Sequence, residues 1–184
     1  GRAEAVAERA LVREPREAWS LFSMMLVRLA QARRSDAADF ALRAWEADTM
    51  SFLSALVVAA NLGMAGAFDD LARFLPRARL AVAEEVIHGW EGVLLYGRGD
   101  CAGAAERLRE EHQVFLRAYL VPALVCSGQM TQAREELSVM LRKRQASYQP
   151  AGVIAMAYAA LGDRDSAFAW LDHAYEERDT FLLW

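Results

Sequence analysis

Small residues and leucines recur along this chain at fixed offsets from a turn residue. The turn residue and the positions five and nine places later are Arg33–Ala38–Leu42, Gly66–Leu71–Leu75, Gly99–Ala104–Leu108, Gly128–Ala133–Leu137 and Gly162–Ala167–Leu171. The residues four places before each turn are Leu29, Leu62, Leu95, Leu124 and Tyr158, at steps of 33, 33, 29 and 34 residues. This period is typical of stacked helix-turn-helix repeats.

Each repeat is predicted to contain two helices, which we term helix A and helix B. Helix A is predicted over about 17–32, 50–64, 82–97, 113–126 and 148–161, and helix B over about 36–47, 68–80, 101–111, 131–144 and 165–177. Polar side chains near each helix B start are expected to accept orphan backbone N–H groups: Asp36, Asp69, Asp100, Thr131 and Asp165. The turn glycines are expected to adopt the left-handed conformation that ends a helix.

The helix pairs predict one array with repeats at about 17–47, 50–80, 82–111, 113–144 and 148–177. Residues 1–15 match the second half of a preceding repeat, and 179–184 read as the start of a further helix. Terminal repeats normally need a polar cap, so we expect a fragment of a longer protein or ends covered by a partner. Pro122 is expected to kink its helix, and the short step of 29 residues predicts a tighter junction before it.

The last repeat resembles a tetratricopeptide repeat (TPR). The matching residues are Ala155, Tyr158, Leu161, Gly162, Ala167, Leu171 and Ala174. The resemblance implies an all-α fold: an α-solenoid of antiparallel helix-turn-helix repeats that form a right-handed superhelix with a concave face. If the leucine column is buried, Leu171→Ala is expected to destabilise the fold by about 2–5 kcal/mol.

The resemblance also implies a binding groove, because helix A positions line the concave face in that family. In this sequence those positions carry no charge, and the expected anchors are Leu56, Met64, Val93, Tyr96, Phe115, Val125 and Met156. Chaperone-binding members hold a peptide carboxylate with lysine, asparagine and arginine, which are missing here. An amphipathic helix or an extended apolar peptide fits such a groove better. The alternative is a groove that fills itself or is closed by a neighbouring chain.

Three functions follow as hypotheses. The leading one is a non-catalytic protein–protein interaction scaffold. The second is a sensor, regulatory or self-association arm of a larger bacterial transcription or signalling protein, because the last repeat is similar to C-terminal repeats of such proteins. The third is an enzyme or a small-molecule sensor, which no polar constellation supports. The partner is expected to be a protein or peptide, and self-association as a homo-oligomer stays open.

Composition narrows the setting. Hydrophobic residues make up 55% of the chain and charged residues 25%, which is typical of a globular protein. The net charge of −4 argues against nucleic acid as a partner, and the basic run 142–144 lies near a predicted helix C-terminus, where cations are favoured. The start of the chain has no apolar signal-peptide core. Cys101 and Cys126 lie 25 residues apart without a CxxC pair, which indicates a reducing, cytoplasmic compartment.

One segment has the length of a membrane span. Residues 49–68 carry no charge over 20 residues. The segment contains Ser51, Ser54 and Asn61 and keeps the register of the other repeats, so a buried repeat helix is the favoured interpretation and no membrane contact is expected.

The motifs that could carry chemistry are each incomplete. Gly97 to Ala102 matches GxGxxA, but a helix precedes it where a dinucleotide site needs a strand. Glu85-x-x-His88 is half of a di-iron motif, and the other histidines lack the matching glutamate. The Asp163–Asp165 pair is better explained as a helix cap than as a cation site. We therefore predict no catalytic residue, no cofactor and no metal ligand, and a packing role for the five tryptophans.

Overall fold

The computed structural model describes residues 1–183, and all regular secondary structure in this range is helical. The α-helices are α1 Arg2–Arg13, α2 Ala18–Ala30, α3 Arg34–Ala47, α4 Phe52–Met64, α5 Phe68–Ala78, α6 Glu84–Gly97, α7 Cys101–Leu108, α8 Val114–Arg117, α9 Leu120–Cys126, α10 Met130–Ala146, α11 Ala151–Ala160 and α12 Arg164–Glu176. A 3-10 helix, η1, follows at Thr180–Leu183. The predicted pairs of helices A and B are therefore present, with the helix A of the fourth repeat divided into α8 and α9.

The chain divides into two compact units, chiefly Gly1–Ile87 and His88–Leu182. In the first unit, α2 packs on α1 and α3, α3 packs on α4, and α4 packs on α5. Trp45 of α3 and Phe74 of α5 meet edge to face at 5.4 Å between ring centroids, and both side chains are buried. Arg28 and Gln31 donate hydrogen bonds to Glu4 and tie α1 to the end of α2. These hydrogen bonds lower the pKa of Glu4 below its ordinary value.

In the second unit, α9 is the central helix and packs on α7, α10 and α11, while α11 packs on α12. Its core consists of alanines and branched aliphatic residues, among them Ala104, Leu108, Val121 and Ile154. Arg117 adds a polar tie. Its Nε and Nη2 atoms donate to the two carboxylate oxygens of Glu136 at 2.8 and 3.0 Å, and its Nη1 donates at 3.0 Å to the carbonyls of Arg109 and Glu111.

The glycine turns have the predicted left-handed geometry. The φ angles of Gly66, Gly99, Gly128 and Gly162 are +72°, +85°, +78° and +82°. The N–H of the residue after each glycine donates at 2.8–3.0 Å to the carbonyl of Leu62, Leu95, Leu124 or Tyr158. This six-residue closure satisfies carbonyls that a helix end would otherwise leave unpaired. The acceptor of this closure is the residue that stands four places before the turn.

The first repeat lies one residue out of the predicted register. Ala32, with φ +56°, is its left-handed residue, and the N–H of Arg33 donates to the carbonyl of Arg28 at 2.9 Å. Ala37 and Ala41 are 0% and 1% exposed, whereas the positions after them are only half-buried. The register is therefore Ala32–Ala37–Ala41. No glycine marks this turn, so the sequence offered no residue that fixed it.

Pro122 breaks its helix instead of kinking it. The predicted helix 113–126 is interrupted: α8 ends at Arg117, and α9 begins at Leu120. Proline has no N–H to donate to the carbonyl of Ala118, and its ring crowds that carbonyl. Pro122 consequently stands in the first turn of α9, where a missing N–H leaves no helical hydrogen bond unmade. The repeat step of 29 residues, from Leu95 to Leu124, is short because α7 between them has only 8 residues.

The leucine column is buried in the middle of the chain and exposed at the last repeat. Leu75, Leu108 and Leu137 are 4%, 0% and 7% exposed, but Leu171 is 39% exposed. In a repeat array the helix B of one unit is covered by the helix A of the next, and after α12 the described residues include only the four-residue η1. The large destabilisation expected for Leu171→Ala is therefore wrong, because this side chain is not buried. The same substitution at the buried Leu108 is the one expected to have a large effect.

Small residues allow the close helix contacts that the sequence predicted. A Cβ atom at Gly92 of α6 would lie 2.8 Å from Cγ and 2.9 Å from Cδ2 of Leu108 in α7. These distances are too short for any residue other than glycine without movement of the leucine. Glycine at this position therefore sets the distance between the two helices of the third repeat.

Two B helices, α7 and α12, begin with an aspartate cap, and only the cap of α7 is the predicted residue. Asp100 caps α7 by accepting the N–H of Gly103 at 3.0 Å. For α12 the cap is Asp163, two residues before the predicted Asp165, and it accepts the N–H and Oγ–H of Ser166 at 3.1 and 2.8 Å. The bond from the Ser166 N–H holds the pKa of Asp163 below its ordinary value of 3.8. The pair Asp163–Asp165 thus serves the helix start.

The uncharged segment 49–68 forms α4 and the turn after it. No helix in the described part of the chain is long and apolar enough to cross a membrane. At the other end, residues 180–183 form η1 where the start of a further helix was predicted, and Trp184 lies outside the described residues.

Candidate partner-binding site

The predicted groove residues of the first unit lie on α4. Leu56 and Met64 are both half-buried. Met64 also lines a pocket of about 440 Å³ between α3 and the turn from α4 to α5, together with Leu42, Leu62 and charged side chains at the rim such as Asp70. Met64 is therefore accessible from the helix B side of the repeat.

In the second unit, Val93 belongs to the core. Its side chain is completely buried, so it contributes packing and not an open contact surface. Tyr96 and Val125 are half-buried and pack against the core cluster around Leu124. The ring of Tyr96 also meets that of Tyr119 edge to face at 6.0 Å. Met156 of α11 is half-buried as well. Four of the predicted anchors in this unit thus keep part of their surface exposed once Phe115 is included.

Phe115 lies between two other aromatic rings. Its centroid is 5.7 Å from that of Trp90 in α6, with an interplanar angle of 53°, and 5.7 Å from that of Phe181 in η1, with an angle of 58°. Trp90 is 3% exposed, and its indole N–H has no hydrogen-bond partner among the described residues. We call the space bounded by Trp90, Phe115 and Gly152 the aromatic slot. Phe181 occupies it.

Gly152 forms the third side of the aromatic slot. A Cβ atom at this position would lie 2.8 Å from Cδ1 and 3.2 Å from Cβ of Phe181. The N–H of Gly152 donates at 2.9 Å to Oδ2 of Asp179, a carboxylate that is 4% exposed. The other oxygen of Asp179 accepts the N–H of Phe181 at 2.9 Å. A helix N-terminus favours a carboxylate, because its first N–H groups are unpaired and its dipole end is positive.

A second glycine of a helix A is approached in a similar way. A Cβ at Gly89 of α6 would overlap Oε2 of Glu111 and lie 2.5 Å from Cδ1 of Leu116. Glu111 is 9% exposed, and its Oε1 accepts the N–H groups of His112 and Gln113 at 2.7 Å, just before α8. At both glycines the chain's own side chains occupy the space beside helix A. This favours, at these two positions, the self-filled alternative.

The sequence interpretation missed Asp179, Phe181 and Glu111 as groove residues. Asp179 and Phe181 were assigned to a further helix, and Glu111 was assigned to the end of helix B. One usable signal was present. Gly89 and Gly152 stand inside the predicted A helices 82–97 and 148–161, where no turn requires a glycine, which indicates close approach of another group.

A polar pocket lies at the end of the last repeat. It has a volume of about 410 Å³ and is lined by Arg144, Tyr148 and Glu177. Arg144 donates to the carboxylate of Glu177 and to the carbonyl of Gln149, and its guanidinium lies 5.1 Å from the centre of the Trp170 ring. Burial, and then the nearby carboxylates of Asp179 and Glu177, raise the pKa of Tyr148 above 10.0. Arg144 is fully engaged in structural contacts, so the pocket offers no free cation of its own.

The two cysteines are paired. Cys101 and Cys126 form a disulfide with a Cα–Cα distance of 5.7 Å, which joins the first residue of α7 to the last residue of α9. Disulfides persist in oxidising compartments, so the wide cysteine spacing no longer supports the predicted reducing compartment. The spacing in sequence did not show that α7 and α9 pack side by side. A cytoplasmic location stays a prediction without this support.

The described residues contain no group of three or more histidine, cysteine, aspartate or glutamate side chains that could hold a metal ion. His88 and Glu85 both lie on the exposed side of α6. The GxGxxA stretch forms the end of α6, a left-handed turn at Gly99 and the start of α7, so no strand precedes it.

Comparison with known proteins bears on the fold. No protein-family model matches the sequence, and no curated protein matches it in sequence. A solved structure does match over nearly the whole chain, with a TM-score of 0.51 and 16% sequence identity, covering 98% of this chain and 96% of the other. The fold is therefore that of a tetratricopeptide-repeat protein, an all-α solenoid of helix-turn-helix repeats, as the last repeat predicted. The matching structure is YrrB, described as a TPR protein with an unusual peptide-binding site.

Proposed function

We propose that this chain is a non-catalytic scaffold that binds an apolar or amphipathic segment of a protein partner along the helix A side of its repeats. The observation that carries the proposal is the contact at Phe115. This predicted anchor already receives an aromatic side chain, Phe181, from a segment outside the helix pairs. A surface that accepts an aromatic side chain from its own chain has the shape and the polarity to accept one from a partner.

Two further points support the proposal. Tyr96, Val125 and Met156 keep part of their apolar surface exposed on helices whose backbones are fixed by packing. A rigid scaffold with aromatic and methionine side chains loses little conformational entropy when it binds. The fold that the chain shares with YrrB is one in which peptide binding occurs, and we extend that activity to this chain as part of the proposal.

The test is a peptide selection against the purified chain. We expect enriched peptides that carry aromatic and aliphatic residues, and binding that falls at least about tenfold in a Tyr96→Asp variant, because a buried carboxylate without a partner opposes binding. Val12→Asp, at an 84% exposed position of α1, is the matched control and is expected to bind like the wild type. Equal binding by the wild type and Tyr96→Asp would show that the peptide does not bind at this groove and would contradict the proposal.

Self-association is the second candidate, and one observation favours it. Helix α12 exposes Phe168, Leu171 and Tyr175, which are 66%, 39% and 79% exposed and share one helix face by their spacing. Contiguous exposed apolar side chains often mark a protein interface. Sedimentation of the wild type and a Phe168→Ser variant tests this: a concentration-dependent dimer that the substitution disperses would support a self-association arm, and a monomer at all concentrations would exclude it.

A further inference from the structure

Among the described residues after α12, two side chains connect the segment to the second unit. Arg178, with φ +53°, reverses the chain direction, and the N–H of Asp179 donates at 2.8 Å to the carbonyl of Ala174. Asp179 and Phe181 then point into the unit, whereas Thr180 is exposed and Leu182 is 42% exposed. Short 3-10 helices have poor hydrogen-bond geometry and little stability of their own. The carboxylate of Asp179 and the ring of Phe181 are therefore the anchors of residues 179–182 that the structure describes.

Both anchors meet preformed groups. The carboxylate of Asp179 accepts a hydrogen bond from the N–H of Gly152, which lies in the first turn of the ten-residue helix α11. The ring of Phe181 lies over the Cα of Gly152 and against Phe115, which rests in turn on Trp90. Gly152 belongs to α11, which packs on α9, α10 and α12. The indole N–H of Trp90 is buried and finds no hydrogen-bond partner in the described part of the chain, so residues 179–182 leave this polar group of the slot unsatisfied.

We propose that the aromatic slot is a recognition site for an aspartate-x-phenylalanine motif, and that Asp179-Thr180-Phe181 is its intramolecular occupant. A partner that carries the same motif then competes with this segment for the slot. The inference rests on the proposed scaffold function and adds the chemistry of the partner. The aspartate accepts a hydrogen bond from the backbone N–H at the start of α11. The aromatic ring packs on Phe115 and occupies the space that a side chain at Gly152 would fill.

The experiment releases the occupant within the full-length chain. A variant with Asp179→Asn and Phe181→Ala removes both anchors, and Leu182→Ala is the matched control on the same segment. The probe is a fluorescein-labelled peptide acetyl-Arg-Asp-Thr-Phe-Leu-Leu-amide, followed by fluorescence anisotropy. The apparent affinity for the probe is proportional to the fraction of molecules in which the slot is open. We therefore expect the released variant to bind the probe about tenfold or more tightly than the wild type or the control.

A third substitution locates the bound probe. Gly152→Ala in the released variant places a methyl group where the phenylalanine ring lies, so the gain in affinity is expected to disappear. A probe with asparagine in place of aspartate is expected to bind more weakly than the original, because it lacks the charge that the helix N-terminus favours. Hydrogen exchange of residues 179–182 in the unaltered protein gives an independent readout: excess probe is expected to accelerate it.

Three results would overturn the inference. The first is a released variant with wild-type circular dichroism that binds the probe no better than the wild type, together with unchanged hydrogen exchange. The second is an affinity gain that survives Gly152→Ala. The third is a wild-type dimer that exchanges η1 between copies and is dispersed by the probe, which would assign the slot to a second copy. If an apolar helical peptide without the motif binds in a Tyr96-dependent manner, the scaffold function stands although the motif fails.

Discussion

The contact between α6 and α7 supplies a quantitative test of how the repeats pack. Leu108 is completely buried, and two of its side-chain carbons lie within 3 Å of where a Cβ at Gly92 would stand. Leu108→Ala removes a full leucine side chain from the core and leaves a cavity. We expect the free energy of unfolding to fall by about 2–5 kcal/mol.

The reverse change at the neighbouring position has an effect that depends on Leu108. In the wild type, Gly92→Ala forces the new methyl group against the leucine, which costs about 1–3 kcal/mol as overpacking. Replacing glycine by alanine within a helix returns about 1 kcal/mol. In the Leu108→Ala background the two leucine carbons are gone, and the next nearest atom is Cγ of the flexible Arg107 side chain at 3.4 Å. There we expect Gly92→Ala to stabilise the protein by about 1 kcal/mol.

Urea unfolding followed by far-UV circular dichroism measures all four proteins of this double-mutant cycle. The expected coupling between the two positions is about 1–3 kcal/mol. Gly103→Ala serves as the control glycine, because the three atoms nearest to its Cβ belong to the side chain of Asp100 and not to Leu108, and it is expected to combine additively with Leu108→Ala. Additivity within about 0.5 kcal/mol for Gly92 and Leu108 would refute the close approach of α6 and α7.

Three further predictions concern other parts of the fold. Leu171→Ala is expected to change the free energy of unfolding by less than about 1 kcal/mol, because the side chain is partly exposed; a loss as large as that of Leu108→Ala would mean that α12 is covered. Arg117→Met is expected to cost about 2–4 kcal/mol, since it leaves Glu136 and two carbonyls without their donor, and Arg117→Lys is expected to recover less than half of this in the same urea assay. For Asp163, whose pKa is lowered, the stabilisation is present above its ordinary pKa and lost as the pH falls through the folded value, so the difference in urea midpoint between wild type and Asp163→Asn is expected to vanish between about pH 5 and pH 2. A difference that persisted at the lowest pH would show that the charge of Asp163 has no part in it.

The sequence predicted the repeat fold where one residue type is required by local geometry. Gly66, Gly99, Gly128 and Gly162 occupy left-handed turns that few other residues tolerate, so their spacing alone located the helix ends. Where alanine takes that conformation, at Ala32, the same method placed the turn one residue late. The local rule for proline predicted a distorted helix at Pro122, but it did not distinguish a kink from a complete break.

The candidate site was less predictable because it depends on contacts between residues far apart in the chain. Phe115 and Phe181 are neighbours only after α9, α10, α11 and α12 have packed. The disulfide between Cys101 and Cys126 likewise depends on α7 lying beside α9. Val93 was assigned to the groove by position within the repeat, and only burial shows that its side chain faces the core. A single sequence carries no direct record of such pairings.

The disulfide has a mechanical consequence. It connects helix B of the third repeat to helix A of the fourth, across a separation of 25 residues. When the chain is stretched from its two ends, the residues between the cysteines bear no load, and about 80–90 Å of fully extended chain stays hidden. A reductant would release that length. Under tension the oxidised chain therefore extends outside residues 101–126, while helix B of the third repeat and helix A of the fourth remain tethered to each other.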